Sequence, residues 1–409
     1  MYKRRIILIL LFGLLFTPLW MYLAWLLRSP RPLNIFILDK TVLTQSCDEH
    51  RSLNWVLTNE KFTKDDTVLY SVEKDYSGFF PLEFDQYEVK DIEKYSEMQV
   101  DSLADALDMV YYTDIYGIYW NDWYQEGVPI SEDEKILNIF RNLFGKKASL
   151  ERSPLIYGGL NDAEVDLLAE MKERKKLILT EFNLLASPSN GPNRNRVEKL
   201  FHIKWSGWVG RYFISLDTLV NPEIPPWVIR LYKEQHDHTW PFKKAGIVFV
   251  HEDERIAILE SDTHLDYEVP NIVTPDKNQD RFNVPYKVIY PFWFDIVYTK
   301  DLNEVISWYE ILPNTKGDSI LKKNNIPKLF PAVLEHSKDY YFWYFAGDFS
   351  DNPIKVNYMS KLRGIKSLRY FMYDKGDKSD RNRFFWNYYN QMLPVILNDY
   401  HKNLANNNN

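Results

Sequence analysis

The sequence predicts an α/β protein: a mostly parallel sheet flanked by helices, then a strand-rich α+β part, preceded by one N-terminal transmembrane helix. Three observations predict it. An uncharged apolar run opens the chain, apolar segments of strand length alternate with amphipathic helical ones up to residue 243, and hairpin patterns take over from Lys244.

Ile6 to Leu27 carry no charge, and at about 1.5 Å per residue they reach roughly 33 Å, the thickness of a hydrocarbon core. The run exceeds a signal-peptide core and is followed by no Ala-x-Ala site, which favours a retained signal-anchor over cleavage. Lys3, Arg4 and Arg5 precede it, so residues 1–5 are expected in the cytoplasm and the remainder outside. Trp20, Tyr22 and Trp25 fall near its outer end, where aromatic rings favour the interface. The expectation is a single-pass protein of the cell membrane with an extracytoplasmic bulk.

Beyond residue 28, 46 of the 50 basic residues remain against all 57 acids, a balance of −11. Such a surface excludes nucleic acid as a partner. Cys47 is the only cysteine, so no intramolecular disulfide holds the fold and its core must. Aromatic residues make up 16% of the chain; most belong in a core, and some are candidates for sugar-stacking platforms.

In order along the chain, Leu33 to Asp39 reads as a first strand and Glu49 to Asn59 as a first helix, with Leu53, Val56 and Leu57 on one face. Thr67 to Val72 reads as a second strand, running into an Asp75 to Pro81 loop marked by glycine and proline. Val110 to Tyr119 reads as a third strand that breaks at Gly117. Asn161 or Asp162 caps a helix with Val165, Leu168 and Met171 buried, and Leu177 to Asn183 follows as a strand. Later, Ala245 to Val250 and Arg255 to Glu260 flank a His251 to Glu254 turn, and Tyr286 to Tyr298 and Tyr340 to Phe349 supply further apolar runs. Arg381 to Leu397 is helical in spacing, and the polar residues 403–409 are expected to be a disordered tail. The division expected is 33–243 for the first domain and 244–402 for the strand-rich part.

The segment Tyr157 to Asn183 (YGGLNDAEVDLLAEMKERKKLILTEFN) resembles the helix and strand of class I glutamine-amidotransferase-like, flavodoxin-like domains. It is most similar to the non-catalytic kind attached to β-galactosidases, with the likeness covering residues 33–215. Catalytic members carry a Gly-x-Cys-x-Gly elbow; here Cys47 lies in TQSCDEH without a flanking glycine. The resemblance therefore implies the fold without the nucleophile, and Cys47 with His50 is not expected to act as a Cys–His pair.

In parallel sheets, ligands collect at the carboxyl ends of strands. Asp39, Asp75, Tyr76, Asp114, Tyr116, Glu181 and Asn183 stand at such ends. Asp39 and Glu181 are the candidate catalytic pair for glycoside hydrolysis, and the others are candidate ligand contacts. Trp205, Trp208 and Arg211, in KWSGWVGR, are candidates for a sugar-stacking edge. Asp295 and Asp348 lie in strongly aromatic stretches and require a partner or solvent. His236 with His238, and His264 with Asp266, match no metal-ligand pattern, and Ser189 to Asn193 lacks a phosphate-gripping ending, so no metal or cofactor is expected. The function expected is an accessory or carbohydrate-binding role in cell-surface polysaccharide handling. The alternatives are a hydrolase using the carboxylate pair, or a scaffold for a membrane-protein partner.

Overall fold

The computed structural model describes residues 13, 16–65, 67–83, 86–124 and 153–407. Fourteen strands build its two larger sheets. In chain order they are β1 Ile35–Asp39, β2 Ser77–Pro81, β3 Tyr87–Lys90, β4 Met109–Tyr112, β5 Leu177–Thr180, β6 Ile203–Phe213 and β7 Gly246–His251. They continue as β8 Ile256–Glu260, β9 Leu265–Val273, β10 Lys287–Ile289, β11 Trp293–Thr299, β12 Val305–Pro313, β13 Leu329–His336 and β14 Tyr341–Phe345.

Ten of them form one mixed sheet in the order β10-β9-β12-β13-β14-β5-β4-β1-β2-β3. The run β14-β5-β4-β1-β2 is parallel throughout. Every other neighbouring pair in the sheet is antiparallel. The mostly parallel sheet expected from sequence is thus corrected to a mixed one. The reason is a single long-range pairing: Tyr341 to Tyr344 of β14 lie beside Leu177 to Thr180 of β5, so the hairpin strands of the second half extend the first-half sheet. Residues on both sides of position 243 therefore share one sheet.

All four residues of β4 and all four of β5 are buried, as strands covered on both faces require. Two groups of helices supply the cover. Arg51–Glu60 packs against the C-terminal helix Asn390–Asn407, with Trp55 meeting Phe385 and Trp386 edge-on at 5.2 Å. Glu97–Ala106 packs on Asp162–Glu173, which in turn contacts Gly191–Phe201. Asn161 is the cap of the second: its side chain accepts from the Glu164 amide at 2.9 Å while Glu164 accepts from the Asn161 amide at 3.0 Å.

A second, antiparallel sheet has the order β8-β7-β6-β11 and carries its own small core with helix Pro226–Gln235. Its β11 touches the main sheet through a Phe294–Gly347 bridge just past the end of β14. That junction brings β6 and β11 side chains to the carboxyl end of the parallel strands.

Several local expectations change. Thr67 to Val72 forms no strand, whereas Ser77–Pro81, expected as loop, does. Gly78 explains the second result: at φ 138° it passes so close to β1 that an added Cβ would lie 1.7 Å from the Asp39 carbonyl oxygen. Val110 to Tyr119 splits into β4 and a short Ile118–Tyr119 strand, with Gly117 at φ 92° between them. The final helix continues through Asn407, into the expected disordered tail.

The transmembrane helix and signal-anchor are also corrected. No helix among the described residues is long and apolar enough to cross a membrane. Thr17–Leu26 has ten residues, with a proline in its first turn, and spans only about 15 Å. It lies on the fold: Trp25 is buried and donates from Nε1 to the Thr58 carbonyl at 2.9 Å, and the Arg363 amide donates to the Met21 carbonyl at 3.1 Å. The expected cytoplasmic residues 1–5 and most of the expected span's first half lie outside the described residues.

Candidate functional site at the strand ends

Four neighbouring parallel strands, β1, β4, β5 and β14, end on one side of the sheet, and the loops leaving them converge. The β1 loop carries Asp39, Cys47, Glu49 and His50; the β4 loop carries Asp114 and Tyr116; the β5 loop carries Glu181, Phe182 and Asn183; the β14 loop carries Asp348, Ser350 and Asp351.

The expected catalytic pair is committed to structure. Asp39 is fully buried; its Oδ2 lies 2.7 Å from His50 Nδ1 and its Oδ1 accepts from the Thr41 amide at 3.0 Å. His50 Nε2 donates to the Val72 carbonyl at 2.8 Å, so both ring nitrogens are engaged and neither serves Cys47. Glu181 Oε2 accepts from the Phe349 amide at 2.9 Å and from the Ser350 amide at 3.0 Å, with the Ser350 hydroxyl also at 3.0 Å. Its Oε1 receives the Tyr111 hydroxyl, which lies 2.8 Å from the Tyr389 hydroxyl. Burial outweighs these donors and pushes the Glu181 carboxyl up to about 8. In the neutral acid the Glu181 carboxyl donates to the Tyr111 hydroxyl, which then turns its own hydrogen toward the Tyr389 oxygen.

Cys47 is buried, and burial followed by the charges of Asp39 and Glu49 pushes its thiol up to about 12, away from thiolate chemistry. Tyr76 is packed rather than displayed: it stacks on Phe80 at 4.0 Å and donates to the Phe79 carbonyl at 2.9 Å. Asp75 is held by Lys64 at 2.8 Å and the Ser71 amide at 2.6 Å, within its own loop.

Asp114, Tyr116 and Asn183 do come together. Asn183, at φ 67°, donates to Asp114 Oδ1 at 3.0 Å, and the Tyr116 amide donates to the same oxygen at 2.8 Å. Burial still pushes Asp114 up to about 7, with Asp39 adding to the rise. Beside it lie three carboxyls that sequence reasoning left out of its site. Asp348 is held well above the ordinary carboxylate range by burial and then by the charges of Asp351, Asp114 and Glu181, and its Oδ1 has no hydrogen-bond partner. Glu49 is raised by burial and then by Asp39 and Asp351, and its Oε2 is also unpartnered. Asp351 is raised by burial against the pull of Arg381, which pairs with its Oδ2 at 2.9 Å; Asp351 Oδ1 is unpartnered. Other buried polar atoms share that state, Asp295 Oδ1 and both amide atoms of Asn54 and Asn390 among them; this group differs in that its raised carboxyls also act on one another through charge.

An aromatic wall adjoins the carboxyls. The Asp348 amide donates to the Trp293 carbonyl at 3.2 Å, Phe182 stacks on Trp293 at 6.3 Å, and Arg381 lies 4.0 Å over the Phe292 ring. Arg211, opposite Trp293 in the β6–β11 register, places its guanidinium 5.3 Å from both the Phe292 and Trp293 rings and pairs with Glu223.

Trp205 and Trp208, expected at a sugar-stacking edge, are buried instead. A bulge between Trp205 and Val209, with Gly207 at φ 90°, turns both indoles inward; Trp205 Nε1 donates to the Trp208 carbonyl at 3.0 Å. Their faces are covered by Arg194 at 4.7 Å and Arg255 at 5.4 Å. Asp295 finds its partner in the Tyr344 hydroxyl. A separate groove lined by Tyr232, His236, Phe242, His264 and Lys323 shares Arg255 with the Trp208 environment and none of the strand-end carboxyls.

Among the described residues, no group of three or more His, Cys, Asp or Glu side chains is arranged to hold a metal ion. The strand-end carboxyls interact through charge without converging on a point. No family model matches this chain, and no curated protein or solved structure matches it either.

Proposed function

We propose that this chain is a carbohydrate-binding accessory protein of cell-surface polysaccharide handling, its ligand lying between the Glu49, Asp114, Asp348 and Asp351 carboxyls and the Phe292–Trp293 wall. The observation that carries this reading is the set of unpartnered carboxyl oxygens on Glu49, Asp348 and Asp351 beside half-buried aromatic rings. Sugar rings supply hydroxyl donors on their edges and an apolar face for stacking. At the rim Arg381 fixes the Asp351 carboxylate and Arg211 packs against the Trp293 ring.

The resemblance of Tyr157 to Asn183 to non-catalytic amidotransferase-like domains is compatible with a non-catalytic role. Hydrolysis through Asp39 and Glu181 has less support, because the acceptors of both are already filled by the protein. The hydrolytic alternative falls instead on the coupled carboxyls Glu49, Asp348 and Asp351, whose raised protonation suits a general acid. Titrating the full-length chain with oligosaccharides, with product analysis by mass spectrometry, tests both. Binding without cleavage, weakened about tenfold or more by Trp293→Ala, supports the accessory role. Cleavage abolished by Asp348→Asn moves the assignment to a hydrolase, and no binding sinks both.

A further inference from the structure

We propose that helix Thr17–Leu26 and the adjoining segment Lys355 to Tyr373 form one face that rests on an anionic lipid surface, holding the chain against a membrane without crossing it.

The helix packs on the fold through Met21 and Trp25 and turns its other side to solvent. Trp20 is 56% exposed, and Leu27, one residue past the helix end, is 85% exposed. No residue from 17 to 27 is charged, so solvent meets an apolar face where a helix bordering water carries charge. Ten residues are too few to cross a bilayer, so the contact is with its surface.

The adjoining segment repeats the pattern. It is tied to the helix by the Arg363 amide on the Met21 carbonyl at 3.1 Å and by Lys361, whose Nζ lies 5.7 Å from the Trp25 ring centroid. Two short 3-10 turns follow, Tyr358–Lys361 and Ile365–Phe371. They expose Tyr358 at 70% and Phe371 at 85%, large rings that gain most from leaving water.

Charge selects the occupant. Lys355 to Tyr373 hold five basic residues and no acid, in a chain of net charge −7. Lys366 is taken by Glu60 at 3.0 Å, whereas Lys355, Lys361, Arg363 and Arg369 form no ion pair with a described acid. Tryptophan and tyrosine rings favour the headgroup level, phenylalanine and leucine enter the acyl boundary, and lysine and arginine reach the lipid phosphates. A second copy of the same face would set like charges against like, which opposes self-association.

Buried Cys47 keeps the native thiol background low, so an environment-sensitive fluorophore can be attached through Ser367→Cys in the full-length chain. Vesicles of equal parts phosphatidylglycerol and phosphatidylcholine are expected to shift its emission to the blue and brighten it. The same label attached through Met98→Cys, exposed on helix Glu97–Ala106 in the other group of covering helices, is expected to stay unchanged. Lys355→Glu combined with Arg363→Glu, both exposed positions, should weaken the response at 367 roughly tenfold or more, and added salt should erode it. An unchanged label at 367, whether or not the chain binds the vesicles elsewhere, overturns the proposal, as does an equal response to phosphatidylcholine alone. A change at 367 that grows with protein concentration in the absence of vesicles marks a second copy as the occupant and overturns it too.

Discussion

Glu181 Oε2 lies 2.9 Å from the amide nitrogen of Phe349, so the acid that ends β5 holds the loop that follows β14. The same oxygen takes the Ser350 amide at 3.0 Å, and the Ser350 hydroxyl lies 2.8 Å from the Glu49 carbonyl. One side chain thereby fixes the loops bearing Asp348, Asp351 and Glu49 while remaining outside the cleft chemistry.

Stability should report that role through pH. Glu181 is raised from 4.5 to about 8, so the folded state keeps a proton that the unfolded chain releases. Its contribution is full below pH 4.5 and is lost as pH rises toward 8, by at most about 1.4 kcal/mol per pH unit. Asp114 and Asp295, both raised to about 7, steepen the same decline. Denaturant melts across this range are expected to show a shallower slope for Glu181→Gln, whereas Glu181→Ala costs about 2–4 kcal/mol throughout. An unchanged slope in the Gln variant would contradict this.

Lys40 is buried with its Nζ 2.9 Å from Glu164 Oε2 and 2.8 Å from the Gly159 carbonyl. Lys40→Met leaves a buried carboxylate alone and is expected to cost about 3–5 kcal/mol. Adding Glu164→Gln, which can preserve the Asn161 capping box, should recover much of that loss. Strictly additive losses in a double-mutant cycle would show that the two residues do not interact.

Cys47 is 2% exposed, with its thiol pushed up to about 12 by burial and neighbouring carboxyls. Iodoacetamide at about pH 8 should leave it unmodified in the folded chain and alkylate it in urea. Rapid stoichiometric labelling of the native protein would show an accessible thiolate instead.

The tryptophans should divide by role. Trp208 is 2% exposed inside the β6 bulge, and Trp208→Ala is expected to cost about 3–5 kcal/mol. Trp293 is half-buried, so Trp293→Ala should cost under about 1.5 kcal/mol while weakening ligand at least roughly tenfold. Loss of binding with Trp208→Ala at full stability would reverse the assignment.

Local grammar explains what was legible. Asn161 sits three residues before Glu164, so its cap and helix could be read directly, as could the hairpin around His251. The end of β1 and the start of β5 were placed from their apolar runs, whereas β4 and β5 were read too far along, to Tyr119 and Asn183 instead of Tyr112 and Thr180. Pairing of β14 with β5 depends on contacts between residues far apart in sequence, and no local pattern encodes it. That pairing assembles Glu49, Asp348, Asp351 and Arg381, so the part of the site built from distant loops was missed. The aromatic stretches around Trp293 and Asp348 were the available signal. Trp205 and Trp208 looked exposed because a bulge that inverts side chains leaves only a Gly207 in the sequence.

The most direct measurement is a glycan array probed with the full-length chain and its Asp348→Asn variant, both first shown to unfold cooperatively at similar midpoints. The account predicts that the parent binds a defined subset of glycans and that the variant binds the same subset about tenfold or more weakly. A parent that binds no glycan, or a variant that binds the same subset undiminished, would contradict it.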